Sequence, residues 1–415
     1  MKTRFFTAVA LTCMVAHSSP FVSDVEMTQD HSTRKVTIRY NLSGEAAVVT
    51  VDIQTNALAD ASSGWVSIGA ENLCGFVGDV NRKISPGEDT RKIYWNPDTY
   101  WPGHELPEKK VRAVVTAWRT NAPPDWLVCQ MTEPYDVTYY QHACQVPDGV
   151  KAKKYKRTHM LFRKIPAKGV VWTMGAGSTK ASERPHQVSL TEDYYMSVYE
   201  LTLAQVGAAA FDALEGSVPH NNRTYVKLRG AVKGAQWPTF KSDGTLDFWE
   251  SHAVDDNSTI ASLRKKCGLL FDLPTEAQWE YAARAGVTAA TFGDGTDTEA
   301  NISQFGRFSS DKNEPDCEGY SAGLASVGSY QPNSFGLYDV IGNVFEVCLD
   351  WYISFEDIDT GKVHIDPVGG MQGTARVHKG GCYYYDNGGL LSSRSSQSPD
   401  TTWNAIGFRL CVPLH

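Results

Sequence analysis

The sequence has 415 residues, of which 42% are hydrophobic and 21% charged, and its net charge is −8. This balance is typical of folded globular chains and excludes an intrinsically disordered protein. The negative charge argues against a nucleic-acid-binding protein, because phosphate binding needs a basic face. The length is sufficient for two or three domains.

The first 18 residues have the pattern of a secretory signal peptide. A positively charged start precedes the apolar stretch from Phe5 to Val15, and small residues follow, so we expect cleavage near Ser18. Cys13 leaves a lipoprotein as the alternative, although the residues before it match a lipid-attachment motif poorly. Neither this stretch nor a later one reaches the ~20 apolar residues of a membrane span. The sequence therefore predicts a secreted or periplasmic protein.

The cysteines do not have metal-site spacing. The chain contains nine; none forms a Cys-x-x-Cys pair and no histidine cluster lies beside them, which argues against a structural zinc site. Export would permit disulfides, but their connectivity cannot be deduced from the sequence. The cysteines beyond the predicted signal peptide are Cys74, Cys129, Cys144, Cys267, Cys317, Cys348, Cys382 and Cys411.

Residues 23–137 have the pattern of an all-β sandwich. Apolar and polar residues alternate over short segments separated by turn residues, as expected for half-buried strands. Strands of this length and spacing favour a sandwich, and the region loosely resembles fibronectin- or immunoglobulin-like modules. The clearest segments are 35–42, 47–53, 92–95 and 111–118.

The pattern changes after a segment of 23 residues, 138–160, which we interpret as a linker. From residue 161 to 415, long loops rich in Gly, Asn, Asp and Ser separate short strands and two helical stretches, Thr202–Leu214 and Thr275–Ala285. Thr275 is a good N-cap for the second helix, with Gln278 three residues later and Gly286 as the stop. So little regular structure in such a long region indicates that side-chain networks or bound metal hold the loops.

Four segments in order resemble the sulfatase-modifying-factor, or formylglycine-generating enzyme, family. The resemblance implies an α+β fold akin to C-type lectins and poor in regular structure. The segments are Trp172–Gly175 with Glu183–Val188 and Tyr199–Thr202; Leu273–Arg284; Pro332–Asp339 with Gly342–Tyr352; and Arg376–Gly381 with Arg394–Ser395 and Gly407–Leu410.

Two calcium sites are implied by this resemblance. Irregular loops suit Ca²⁺, which takes 6–8 oxygen ligands in loose geometry. The alternative is that these groups cap turns, as Asp and Asn commonly do. The first predicted site uses Asp339, the Gly342 and Val344 carbonyls and Glu346; the second uses Asn301, the Ile302 carbonyl, Glu318 and the Tyr320 carbonyl.

The reactive cysteine pair of the family is not matched. Family enzymes oxidise a substrate cysteine to formylglycine with two cysteines that bind copper(I), since soft thiolates suit that ion. Here Cys382 replaces the family's serine and Tyr385 occupies the first cysteine position, while the second falls in a shortened segment without cysteine. Copper binding is therefore not expected.

The loop 382–404 instead has the composition of a recognition surface. Tyrosine and tryptophan supply rigid contact area, and short polar side chains supply hydrogen bonds. We predict a non-catalytic protein whose loop binds a protein, peptide or glycan; the alternatives are a formylglycine-generating oxidase or a loop without a partner. Variable proteins with a related lectin-like fold, which retroelements diversify, place their changing residues in this same segment of the chain. The predicted ligand-binding residues are Tyr383, Tyr384, Tyr385, Asp386, Asn387, Trp403 and Asn404.

Overall fold

The computed structural model divides the chain into two compact units, Met1–Thr120 and Asn121–His415. The predicted signal peptide lies outside the described residues, as does most of the predicted helix Thr202–Leu214. The structure describes residues 19–57, 63–104, 110–176, 183–205, 239–240, 246–247, 254, 256, 258–296, 298–309, 323–370, 373–385, 390–400, 403 and 405–414.

The first unit is built from two antiparallel sheets. One has the strand order β1-β2-β7-β5, and in the other β3 pairs with β4, β6 and β8. The predicted alternating segments all form strands, which confirms an all-β module. The strands are β1 (Phe21–Gln29), β2 (Val36–Ser43), β3 (Ala47–Asn56), β4 (Trp65–Ser67), β5 (Val77–Gly78), β6 (Lys83–Ile84), β7 (Arg91–Trp95) and β8 (Val111–Arg119), with a short helix α1 (Pro97–Tyr100) after β7.

One apolar cluster holds the two sheets of this unit together. Ile38 and Tyr40 of β2 and Ile53 of β3 are fully buried in it, and they occupy alternate positions of their strands. Trp95 closes the cluster, with its indole nitrogen donating to the Cys74 carbonyl at 3.0 Å. This alternation is what a strand with one buried face requires.

The second unit contains short strands in several small sheets. The largest has the order β10-β9-β11-β14-β22, and another has the order β20-β19-β17-β21. The strands are β9 (Trp126–Gln130), β10 (Asp136–Tyr140), β11 (His159–Ile165), β12 (Val171–Met174), β13 (His186–Ser189), β14 (Tyr194–Ser197), β15 (Thr239–Phe240), β16 (Leu246–Asp247), β17 (Phe345–Trp351), β18 (Val363–Ile365), β19 (Arg376–Lys379), β20 (Arg394–Gln397), β21 (Ile406–Gly407) and β22 (Cys411–Pro413).

Three helices are described in the second unit: α2 (Thr259–Cys267), α3 (Glu276–Arg284) and α4 (Glu299–Ile302). The capping box predicted for α3 is present, because Thr275 Oγ1 accepts from the Gln278 amide at 3.0 Å and the Gln278 side chain accepts from the Thr275 amide at 2.9 Å. The helix ends at Ala285, which has a φ of 47°, followed by Gly286. Few helices and many short strands give the α+β unit, poor in regular structure, that the sequence predicts.

The unit boundary differs from the predicted one. Contacts divide the chain after Thr120, whereas the sequence placed the end of the sandwich at 137 and a linker at 138–160. The reason is sheet pairing: β9 pairs with both β10 and β11, so these residues belong to the second unit. Tyr155, within the predicted linker, is fully buried. No helix in the described part of the chain is long and apolar enough to cross a bilayer.

Candidate functional site

A surface of aromatic side chains forms where β17, β19 and β21 meet. Phe345 pairs with Ile406 in parallel register, and Glu346 pairs with Lys379 in antiparallel register. Strand pairing therefore brings the residues that precede β21 and those that follow β19 to the same end of the sheet. Trp403 and the run Tyr383–Tyr385 lie there.

Four of these rings form what we call the aromatic patch: Phe345, Tyr384, Tyr385 and Trp403. The Trp403 ring lies 6.0 Å from Phe345, 6.5 Å from Tyr384 and 6.1 Å from Tyr385 between centroids. Tyr384 is 64% exposed and Tyr385 43%. Large aromatic groups that remain open to solvent on a folded surface mark contact sites.

Three of the predicted ligand-binding residues are thus brought together in the patch. Tyr383 lies beside it, 6.3 Å from the Tyr384 ring, and its amide donates to the Asn343 carbonyl at 2.9 Å. Phe345 is not among the ligand-binding residues that the sequence predicts; its signal is its place at the start of β17, beside Trp403. The remaining predicted members, Asp386, Asn387 and Asn404, lie outside the described residues.

Cys382 is packed beneath the patch. The side chain is fully buried, and burial raises the pKa of its thiol to about 11. Within the described part of the chain, no disulfide or hydrogen bond joins it to another cysteine. A thiol that stays protonated at neutral pH is a weak nucleophile and a weak metal ligand. Tyr385, at the first cysteine position of the family, has an exposed phenol ring.

A buried network of charges lies behind the patch. Arg409 makes a two-pronged ion pair with Glu346, with Nη2 at 2.6 Å and Nε at 2.9 Å from the carboxylate oxygens. Its remaining N–H groups donate to the carbonyls of Ser197, Val198 and Tyr338. Arg409, from the last of the family-like segments, thus binds a carboxylate and loop carbonyls inside the fold.

Two further buried ion pairs fix the strands that carry the patch. Arg394 of β20 binds both carboxylate oxygens of Glu276, at 2.8 and 2.5 Å. Lys379, the last residue of β19, donates to Glu280 at 2.9 Å. Both carboxylates belong to α3, so this helix anchors the strands on either side of the Gly380–Cys382 turn.

The first predicted calcium site lies at the edge of this network. Asp339 is buried; its Oδ2 accepts from the Gly328 amide at 2.6 Å, while its Oδ1 has no hydrogen-bond partner among the described residues. Burial raises the pKa of Asp339 to about 6. Glu346 is already engaged by Arg409, and its Oε2 also accepts from the Trp279 indole at 2.5 Å.

A third carboxylate, Glu200, joins this site and was not predicted. It accepts from the Asn343 side chain at 2.7 Å, and burial together with Asp339 and Glu346 raises its pKa well above the usual range. The buried cation of the cluster is Arg409, whose charge lowers the pKa of Asp339. The charge of Lys156 lowers this pKa more weakly. In the part of the chain that the structure describes, the cluster therefore has excess negative charge and one Asp339 oxygen without a hydrogen-bond partner, which is the kind of donor that a hard cation takes.

The loop between Asp339 and β17 has the backbone turns that such a site needs. Asp339, Gly342 and Asn343 have φ values of 55°, 78° and 53°. A Cβ at Gly342 would lie 2.6 Å from the Arg307 carbonyl oxygen, so only glycine fits. Among the described residues, no three His, Cys, Asp or Glu side chains converge as a metal site, so backbone carbonyls would have to complete the coordination.

The second predicted calcium site is only partly described. The Asn301 side chain donates to the Phe292 and Thr296 carbonyls, each at 2.7 Å, and its Oδ1 lies 3.3 Å from the Asp294 amide. These are the turn-capping contacts of the alternative interpretation. Ile302 is buried on α4, and Glu318 and Tyr320 lie outside the described residues.

Residues 163–413 match the family model that is described as sulfatase-modifying factor enzyme 1-like domain. The chain is similar to a formylglycine-generating enzyme of Thermomonospora curvata, with 38% identity over 191 residues that cover 43% of this chain and 62% of the relative. The mouse formylglycine-generating enzyme is 28% identical, over 61% of this chain and 76% of the relative. The chain thus spans less than two thirds of the Thermomonospora relative.

Among solved structures, the chain is similar to Treponema denticola variable protein 1, with 23% identity and a TM-score of 0.41. The match covers 61% of this chain and 95% of that protein.

Proposed function

Because the chain belongs to the sulfatase-modifying factor enzyme 1-like family, we propose that it is a non-catalytic member that binds a protein, peptide or glycan through the aromatic patch. The family scaffold carries the patch, and the observation that supports the proposal is the chemistry at the expected reactive positions. The exposed Tyr385 stands at the first of the two cysteine positions that the family's copper(I) chemistry needs, and the second position falls in a segment without cysteine. Cys382, at the family's serine position, is buried and stays protonated at neutral pH.

The missing thiolate pair is what separates this function from the family's oxidase chemistry. Copper(I) is held by soft ligands, and a single buried thiol with a pKa of about 11 does not supply two thiolates. The Tyr385 phenol, a hard oxygen donor, is a poor replacement for a thiolate. The oxidase activity of relatives therefore does not transfer to this chain.

The patch has the properties of a binding surface. Phe345 is held by strand pairing and the other three rings pack against one another, so little conformational entropy is lost when a ligand binds. Tyr384 and Tyr385 present both an apolar face and a phenol group, which suits the faces of sugar rings as well as aromatic or proline side chains. The signal-peptide pattern at residues 1–18 supports the further proposal that this binding takes place outside the cytoplasm.

Calcium is the cation that we propose for the cluster of Asp339, Glu200 and Glu346. The supporting observations are the unpaired Asp339 oxygen and three carboxylates that share one buried guanidinium. The ligands would be Asp339 and Glu346 with the Gly342 and Val344 carbonyls. The ion would supply positive charge that stabilises the loop leading into β17, and with it the position of Phe345.

The binding proposal predicts that Tyr384→Ala lowers the affinity for any ligand that is found by screening the purified protein on glycan and peptide arrays. Tyr384 is the most exposed ring of the patch, so its loss removes contact area without opening the core. An aromatic hot spot of an interface contributes about 2 kcal/mol or more, so we expect affinity to fall about 30-fold or more. Titration calorimetry with the array ligand measures the change.

Tyr135→Ala is the matched control, because Tyr135 is 41% exposed in the same unit but lies outside the patch. Its affinity for the array ligand should equal that of the parent protein. Equal binding by the parent protein and by Tyr384→Ala, Tyr385→Ala and Trp403→Ala would contradict the assignment of the patch as the binding surface.

A further inference from the structure

Three sulfur atoms come together on the inner side of the largest sheet. Cys129 and Met131 are two residues apart at β9, so their side chains point to the same face. Cys267, the last residue of α2, packs against both: its Sγ lies 3.4 Å from Met131 Sδ, and its thiol is in hydrogen-bonding contact with that of Cys129. All three belong to one apolar cluster.

The two thiols differ in environment. Cys129 is fully buried and burial raises its pKa well above the usual range, whereas Cys267 is half-buried. The hydrogen bond from Cys129 lowers the pKa of Cys267, and the charge of Lys266 adds to this effect. An accessible thiol with a lowered pKa, beside a second thiol, is the arrangement that reacts first with a disulfide.

We propose that Cys129 and Cys267 form a disulfide bond that fastens α2 to β9. The oxidant is a small-molecule disulfide such as oxidised glutathione. The Cys267 thiolate attacks it, forming a mixed disulfide and releasing one glutathione thiolate. Cys129 then gives up its proton, its sulfur attacks Cys267 Sγ, and the second glutathione leaves. In balance, two protein thiols are oxidised to one disulfide and one molecule of oxidised glutathione is reduced to two thiols.

Other described cysteines are placed differently. Cys411 Sγ lies 3.4 Å from the Leu273 carbonyl oxygen, and Cys348 Sγ lies 3.9 Å from the Glu346 carbonyl oxygen. Burial raises the pKa of both well above the usual range. Neither is in thiol contact with another cysteine in the described part of the chain, so oxidation is expected to select the pair at β9 and α2.

The test is peptide mapping of the full protein after incubation with oxidised glutathione at pH 8. Free thiols are alkylated under denaturing conditions without reduction, and the digest is read by mass spectrometry. The expected result is a linked pair of peptides that contain Cys129 and Cys267. It should persist in Cys144→Ser, which removes an exposed cysteine, and disappear in Cys267→Ser. Recovery of both peptides in fully alkylated form, or linkage of either cysteine to a different one, overturns the proposal.

Thermal unfolding gives a second readout that does not depend on mapping. Because the bond would close a long loop, reduction of the oxidised protein should lower the melting temperature by roughly 5–10 °C. Cys129→Ala and Cys267→Ser should show no such response to reductant. A parent protein whose melting temperature is the same before and after reduction contradicts the proposed bond. Neither measurement depends on the aromatic patch or on a ligand.

Discussion

Arg409→Met is expected to lower the free energy of unfolding of the second unit by about 3–5 kcal/mol, the range found when one partner of a buried ion pair is removed. Met fills much of the space of the arginine stem but carries no charge. The substitution leaves Glu346 buried without its cation, beside Glu200 and Asp339, whose charges are already poorly compensated. It also removes the arginine donors of three backbone carbonyls, of which that of Val198 keeps the Tyr338 amide at 3.0 Å. Urea denaturation followed by circular dichroism measures the change.

Lys168→Met is the matched control for this prediction. Lys168 also pairs with a glutamate, Glu192 at 2.8 Å, but its side chain is 62% exposed. Ion pairs at the surface contribute between 0 and about 1 kcal/mol, so the control should unfold close to the parent protein. If Arg409→Met is as stable as Lys168→Met, the buried network does not hold this unit together.

Removal of the calcium ion that we propose at Asp339 is expected to have the second largest effect. An ion bound at a hundred times its dissociation constant stabilises a protein by about 2.7 kcal/mol. For a unit of this size, chelation should then lower the melting temperature by roughly 5–10 °C. Asp339→Ala removes the proposed ligand with the unpaired oxygen, so this variant should respond neither to chelator nor to added calcium. Calorimetric scans with and without calcium measure the melting temperatures of the parent protein and of Asp339→Ala.

The stabilisation by calcium should depend on pH in a defined direction. Without the ion, burial raises the folded-state pKa of Asp339 from 3.8 to about 6. A carboxyl group of this kind contributes stability at low pH that is lost as the pH rises from 3.8 through 6. Below about pH 6 calcium must displace this proton, so its effect should be larger at pH 7.5 than at pH 5. The site is contradicted if calcium raises the melting temperature by the same amount at both pH values. It is also contradicted if calcium raises the melting temperature of Asp339→Ala as much as that of the parent protein.

The sequence was sufficient to predict those features that depend on neighbouring residues. The alternating segments of the first unit and the capping box of α3 were found because strand period and cap chemistry are local properties. The family resemblance located the motif arginines, and the structure shows what each one binds.

The features that sequence reasoning missed depend on pairing between distant segments. The sequence predicts a linker at residues 138–160, yet Tyr155 is buried there, because the pairing of β9 with β11 brings this segment into the second unit. Phe345 is missing from the predicted ligand-binding residues because its place in the patch depends on the register between β17 and β21. Glu200 lies far along the chain from Asp339, and the contact of Cys129 with Cys267 likewise depends on where α2 packs.

The central claim is that the family scaffold is retained without the pair of thiolates that binds copper(I). It is tested most directly by incubating the purified protein with copper(I), oxygen and a cysteine-containing sulfatase peptide, followed by mass spectrometry of the peptide. We expect the peptide cysteine to remain unconverted to formylglycine and the protein to take up no copper at Cys382, as in Cys382→Ala. Conversion of the peptide by the parent protein but not by Cys382→Ala would contradict this account.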